Sequence, residues 1–293
     1  MSMVVIGGSN QDVTLRLKRT LHAQSSNPVS KVAQWGGVGR NIAEALGRLD
    51  LPVAFLTALA RTDVASLQTS LPKLDVHLLE VEPSPQYVEV LDEHGELAFG
   101  FAAMEALDSL HPEALIPHIP LIKAASYVIV DANVPRAFLE AILPHIDGYL
   151  IADGTSAMKV KRLKPLLPSL YMLKLNEHEA AALCGISDPY EQLAALQRLG
   201  VKHSYITTSK GVYIQSPTPR FVAHSHTVSV VSTTGAGDAF LAGLLYALYH
   251  HEDPLSCAFA CSRLALRAAT PIPQDLTVER LSKERKTDDV KHS

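Results

Sequence analysis

The stretch STTGAGDAFLAGLLYAL, Ser232 to Leu248, sets small residues before an aspartate and then runs into an apolar segment. Glycine weakens a helix interior by about 1 kcal/mol relative to alanine, so Gly235 and Gly237 at the opening of a helix need a local reason. From Gly235 onward the segment reads as a helix that is apolar nearly all round, through Ala239, Phe240, Leu241, Ala242, Leu244, Leu245, Ala247 and Leu248, and such a helix is buried. Its first backbone N–H groups, at Gly235, Ala236 and Gly237, have no intrahelical acceptor, and glycine lets an outside anion come close. The helix mouth is therefore a cradle for negative charge, and phosphate, with several acceptor oxygens, fits it better than carboxylate. Asp238 has two readings: a general base toward a hydroxyl, or an ordinary acid at a helix N-terminus. The stretch alone leaves both open.

Outward from this helix, short β-branched runs alternate with helix-period segments. Candidate strands are MVVIG (3–7), VAFLT (53–57), SYVIV (126–130), YLIA (149–152), YMLKL (171–175) and HSYIT (203–207), with candidate helices near 40–49, 136–144, 157–166, 177–184 and 189–199. Apolar strands separated by helices predict a mostly parallel sheet covered on both faces, an α/β layer fold. QYVEVL (86–91) and ELAFGF (96–101) flank a short glycine-containing loop and read as a β-hairpin. With VTLRLK (13–18) and KVAQW (31–35) it forms a small separate sheet, expected to act as a lid.

The 293 residues carry a net charge of -4, which gives no general attraction to nucleic acid or to an anionic membrane. The start MSMVVIGGSN shows no secretory leader, the apolar runs are too short for a membrane span, and Cys184, Cys257 and Cys261 give no disulfide framework. A cytoplasmic location is expected, without nucleic-acid or membrane partners.

QWGGVGRNIAEALGRL (34–49) leads through Gly36, Gly37 and Gly39 into a helix with Ile42, Ala45, Leu46 and Leu49 on one face. Ile42 stands where a dinucleotide fingerprint needs glycine or alanine, and no Walker sequence occurs. Asn41 can cap the helix or face a ligand. GGSNQD (7–12) places Asn10 and Asp12 beyond the end of the first strand, where open α/β sheets bind ligands, and Asp12 suits a vicinal diol. Asn176 and Glu179 in LNEHEA match a capping box. His224 and His226 suggest a surface pair more than a metal site. Trp35 beside the glycine pair can stack on a base or pack the lid.

GGVGRN, Asn-x-x-Glu in LNEHEA, and TTGAGDAF, in this order, resemble the ribokinase (PfkB) family of carbohydrate kinases over roughly residues 3–275. The resemblance implies a three-layer ribokinase-like sandwich with a mostly parallel central sheet and a β-sheet lid. It implies one such domain over 1–280, a non-contiguous lid near 13–35 and 85–102, and a polar tail over 281–293. Within the family, GGVGRNIAEALGRL, residues 152–183 and YVEVLDEHGEL are most similar to pseudouridine kinases, which phosphorylate the 5′-hydroxyl of a C-linked ribonucleoside with MgATP. Ribose, inosine or uridine kinases of the same family and a non-catalytic nucleotide sensor are the alternatives.

By this resemblance Asp238 is the catalytic base and the N–H groups of Gly235, Ala236 and Gly237 form the anion hole. Asn10, Asp12, Gly36, Gly37 and Asn41 hold the ribose, and Asn176 and Glu179 act near Mg²⁺ and its waters. ITTSKGVYI (206–214) occupies the place of the nucleotide loop, which puts Thr208, Lys210 and Gly211 near ATP, with the helix 256–269 walling the adenine pocket. Ser232 stands where many members carry an aspartate associated with a monovalent cation, which argues against K⁺ as a cofactor. Exposed lid edges favour a homodimer through the lid.

Overall fold

The computed structural model describes residues 2–215, 219–223 and 228–289, with side chains through 286; His224 and His226 lie outside the described residues. Its strands are β1 (Met3–Gly8), β2 (Asn10–Leu17), β3 (Val29–Gly36), β4 (Val53–Leu59), β5 (Asp75–Glu80), β6 (Gln86–Leu91), β7 (Leu97–Ala103), β8 (Tyr127–Asp131), β9 (Tyr149–Asp153), β10 (Leu170–Asn176), β11 (His203–Thr207), β12 (Gly211–Ile214) and β13 (Arg220–Ala223). Among the described residues nine of these form one sheet in the order β13-β12-β11-β10-β9-β8-β1-β4-β5. Its pairings are parallel from β5 to β11 and antiparallel only at β12 and β13.

The side-chain alternation of a strand explains the layers. Met3 and Val5 of β1 point into one apolar core with the helices Val38–Arg48, Ala236–His250 and Pro254–Leu266; Val4 and Ile6 point into a second core, with the helices Arg136–Ile142, Glu177–Cys184 and Pro189–Arg198. β1 is buried at every residue because strands flank it on both sides and helices cover both faces. This is the expected ribokinase-like α/β fold, a large mostly parallel sheet with a smaller second sheet.

The second sheet has the order β3-β2-β6-β7. β2 runs antiparallel to β3 and parallel to β6, and β6 and β7 form the expected hairpin, closed by Gly95 at φ +93. Asp12 and Tyr87 are in register across β2 and β6.

Two expectations are revised. Residues 160–169 form a 3-10 helix in place of the α-helix expected over 157–166, since Pro165 and Pro168 donate no N–H. The helix Val278–Asp289 continues through most of the stretch read as a polar tail from 281. Leu281 is buried, and Glu284 pairs with Arg263 at 3.0 Å and Arg267 at 2.9 Å, contacts that periodicity in a charge-rich segment does not reveal.

Candidate active site

The site lies off the C-terminal ends of the central strands. Register alone brings Asp131 of β8 beside Asp153 of β9, and Asp153 beside Lys174 of β10, so three charged side chains share one face of adjacent strands. Lys174 Nζ pairs with Asp153 Oδ2 at 3.0 Å, and both are buried. A buried ammonium is costly unless paired. Burial pulls the Lys174 pKa down, but the carboxylates of Asp153, Glu179 and Asp238 outweigh it and hold the group charged. Asp131 plays a different part: its Oδ2 accepts from Gly8 N at 3.0 Å, Gly39 N at 2.8 Å and Asn133 Nδ2 at 2.9 Å, tying β1 to the helix Val38–Arg48.

Above these strand ends sits the N-terminus of the helix Ala236–His250. Gly235 caps it at φ +81, and a Cβ there would run into the Pro271 carbonyl. A Cβ on Gly237 would lie 2.5 Å from Lys174 Nζ. These two positions need glycine for close approach and backbone conformation, not for flexibility. Asp238, in the first turn, is 7% exposed and accepts from Asn41 Nδ2 at 2.8 Å. Burial, and next the Asp153 carboxylate, push its pKa up to about 7, against the opposing pull of Lys174 and the Asn41 hydrogen bond.

Two cavities meet at this turn. One, of about 370 Å³, is lined by Asn10, Asp12, Gly37, Asn41, Glu179 and Asp238 among others; the second, of about 740 Å³, is lined by Thr208, Lys210, Gly211, Ala236, Gly237 and Phe259 among others. Lys174 and Asn176 line both. In the smaller cavity Asn10 Nδ2 donates to Asp12 Oδ1, and burial raises the Asp12 pKa against that hydrogen bond. Gly36 lines neither cavity but flanks the Asp12 carboxylate, where a Cβ would collide with it. Gly37, at φ +106, passes close to the Gly8 carbonyl.

In the larger cavity, Thr208 Oγ1 accepts from Lys210 N at 3.1 Å and Gly211 N at 3.2 Å, which shapes the turn from β11 to β12. Phe259, Ser262, Arg263 and Leu266 of the helix Pro254–Leu266 form another wall. Asn176 and Glu179 make the full capping box: Glu179 N donates to Asn176 Oδ1 at 2.9 Å and Asn176 N donates to Glu179 Oε2 at 2.8 Å. Asn176 Nδ2 adds a bond to Glu179 Oε1 at 2.7 Å. Burial and Asp153 raise the Glu179 pKa, opposed by Lys174.

The residues singled out in the sequence thus gather at one place, apart from Gly36, which acts through Asp12. Trp35 is not among the cavity residues: it is buried and donates from Nε1 to Ser66 Oγ at 3.1 Å. Sequence reasoning missed Lys174, Tyr87 and Thr155, which line the smaller cavity. Lys174 carried a signal, a charged residue inside the apolar run YMLKL, which a buried strand tolerates only with a partner.

The pfkB family carbohydrate kinase profile matches residues 1–270, and the chain belongs to that family. It is a phosphotransferase that acts on a hydroxyl group of a sugar or nucleoside, and kinases of this family use ATP. The pseudouridine kinase of Escherichia coli K12 is 28% identical over 94% of both chains, and a ribokinase of Arabidopsis thaliana is 27% identical over 92% of this chain and 77% of its own length. Among solved structures, a carbohydrate kinase from Agrobacterium tumefaciens superposes with a TM-score of 0.86 at 24% identity, covering 98% of this chain and 97% of its own. An Arabidopsis ribokinase complexed with ribose and ATP superposes at 0.84 and 21%, covering 97% and 98%. No helix of the described residues is long and apolar enough to cross a membrane.

Proposed function

We propose that the protein transfers the γ-phosphoryl group of ATP to the 5′-hydroxyl of pseudouridine, giving pseudouridine 5′-phosphate and ADP. The observation that carries the reading is the meeting of two cavities at one helix N-terminus with a buried carboxylate between them. A nucleotide in the larger cavity presents its terminal phosphate to the amides of Gly235, Ala236 and Gly237. A ribose in the smaller one is held by Asn10, Asp12, Gly37 and Asn41, with Gly36 keeping Asp12 in place. Asp238 accepts the hydroxyl proton as the oxygen attacks phosphorus, the bond from phosphorus to the bridging oxygen breaks, and ADP leaves. A base whose pKa lies near 7 is suited to this task at neutral pH.

Lys174, charged and shared by both cavities, opposes the negative charge of the moving phosphoryl group. Thr208, Lys210 and Gly211 border the nucleotide. Mg²⁺ keeps waters and leans on substrate phosphates, so a site for it here would be water-mediated. Asn176 and Glu179 fit such a water-mediated site, since each Glu179 oxygen has spare acceptor capacity beyond its bond to Asn176. When bound, Mg²⁺ offsets phosphate charge. Ser232, whose hydroxyl accepts from Thr234 N at 3.2 Å, supplies no anionic ligand for K⁺.

Pseudouridine is favoured by the 28% identity over nearly the whole of both chains. The small sheet closes over the acceptor as a lid, and its exposed Phe99 and Phe101, stacked at 6.2 Å, favour pairing with a second copy. ADP release against pseudouridine, uridine, inosine, ribose and fructose 6-phosphate, with mass spectrometry of the product, tests the reading. Preference for ribose or inosine would replace the substrate, and nucleotide binding without ADP release would replace the kinase by a sensor.

A further inference from the structure

The helix Val38–Arg48 carries a polar network of which the proposed chemistry uses only Asn41. Arg40, Asn41 and Glu44 are each less than a tenth exposed. Arg40 Nη1 pairs with Glu44 Oε2 at 2.6 Å and donates to Asn41 Oδ1 at 3.2 Å; Glu44 Oε1 in turn accepts from Arg48 Nη2 at 2.7 Å. Beyond Asn41, the chain of contacts ends on Asp238. A buried ion pair is weak support for stability, since an apolar pair of similar volume does as well. Its donors and acceptors do, however, impose direction.

An asparagine amide can present either its oxygen or its NH₂ group to a neighbour. A carboxylate accepts, so Asp238 needs the NH₂ group. A guanidinium only donates, so Arg40 needs the oxygen. Turning the amide over would set donor against donor on one side and acceptor against acceptor on the other.

We propose that Arg40 is a positioning residue, which fixes the Asn41 amide in the one orientation that donates to Asp238. Glu44, held from its far side by Arg48, anchors the guanidinium. Arg40 lines neither cavity; its link to Asp238 runs through Asn41, while its charge also lowers the pKa of Asp12. The groups that set the charge around Asp238 are Asp153 of β9, Asp131 of β8, Lys174 of β10 and the Asn41 amide. Of these, Arg40 governs the last. The inference rests on the base role proposed for Asp238 only in its kinetic consequence; the hydrogen-bond relay is measurable without substrate.

The experiment is a carboxyl-carbon NMR titration of the full-length protein labelled at aspartate, with Asp238→Asn assigning the signal, in wild type, Arg40→Met and Arg40→Lys. Losing a fixed charge-assisted bond in Arg40→Met raises the Asp238 midpoint by about one pH unit, and Arg40→Lys, which keeps a donor, restores at least half of the difference. In parallel, the acid limb of kcat moves up with the midpoint, and kcat at pH 7 falls about fivefold, the loss of deprotonated Asp238 when a midpoint near 7 rises by about one unit. Arg40→Met/Glu44→Leu removes both buried partners and serves if the single variant does not fold. An unmoved Asp238 midpoint in a folded variant overturns the relay, as does an equal shift in Arg40→Lys. A shifted midpoint in a protein that phosphorylates no acceptor upholds the relay and removes the kinase reading.

Discussion

Replacing Asp238 by asparagine separates stability from turnover. The carboxylate is buried, faces Asp153, and has its pKa pushed from 3.8 up to about 7. A carboxyl group whose pKa is higher in the folded than in the unfolded chain binds more protons when folded between those two values. Its contribution to stability is therefore full below about pH 4, falls through the interval, and is lowest above about pH 7. A displacement of about three pH units corresponds to on the order of 4 kcal/mol carried as destabilisation at pH 8. Asparagine keeps the shape, keeps an oxygen to accept from Asn41, and removes the charge. Asp238→Asn is expected to be more stable than wild type at pH 8, with the advantage shrinking by roughly 2–3 kcal/mol on going to pH 5. That corresponds to a change of about 5 °C in the melting difference for a chain of this size. ADP release should meanwhile fall by at least about 10²–10⁴, the usual worth of a positioned base. Thermal melts of both proteins at several pH values, beside the ADP assay, give the answer. A variant less stable than wild type at pH 8, or a pH-independent difference, refutes the account of a strained carboxylate; near-normal turnover refutes the base.

The other predictions use the same geometry. Gly235→Ala forces a side chain into a left-handed position against the Pro271 carbonyl and should cost at least about 1–2 kcal/mol by chemical denaturation, together with turnover. Lys174→Met leaves Asp153 buried without its cation; the folded variant should lose about 3–5 kcal/mol and show its acid limb of activity displaced upward, because Lys174 opposes protonation of Asp238. Asp12→Ala should raise the acceptor KM by at least about tenfold with the ATP KM little changed, the pattern of a lost bond to sugar hydroxyls. Glu284→Gln, by weakening the pairs with Arg263 and Arg267, should lower the melting temperature by about 2–8 °C, whereas a frayed tail would show no change.

The central strands could be read from the sequence because burial on both faces makes them continuous apolar runs, and β1, β4 and β8 differ from the expected spans by only one or two residues. β5 escaped notice, and β12 and β13 are absent from the candidate strands, although the glycine turn in ITTSKGVYI implied a strand after it. DVHLLE at the sheet edge is largely part-exposed and mixes polar with apolar residues, while β12 and β13 are four residues each. The glycine-aspartate turn announced itself locally, through residue types that a buried helix would otherwise avoid. What surrounds it did not. Asn41 meets Asp238 across 197 residues, and Lys174 meets Asp153 because β9 and β10 are in register. Neither fact follows from spacing along the chain, since register depends on the whole sheet. The charge balance was hidden for the same reason. Asp153, Glu179 and Asp238 converge around Lys174, with Asp131 near Asp238, and burial raises the pKa of Asp131, Glu179 and Asp238. A site so rich in carboxylates repels a triphosphate unless cations and backbone dipoles compensate. The sequence displayed the helix mouth, and by resemblance Lys210 and a Mg²⁺ site; Lys174, which lies at the centre of the carboxylates, becomes visible once the strands lie side by side.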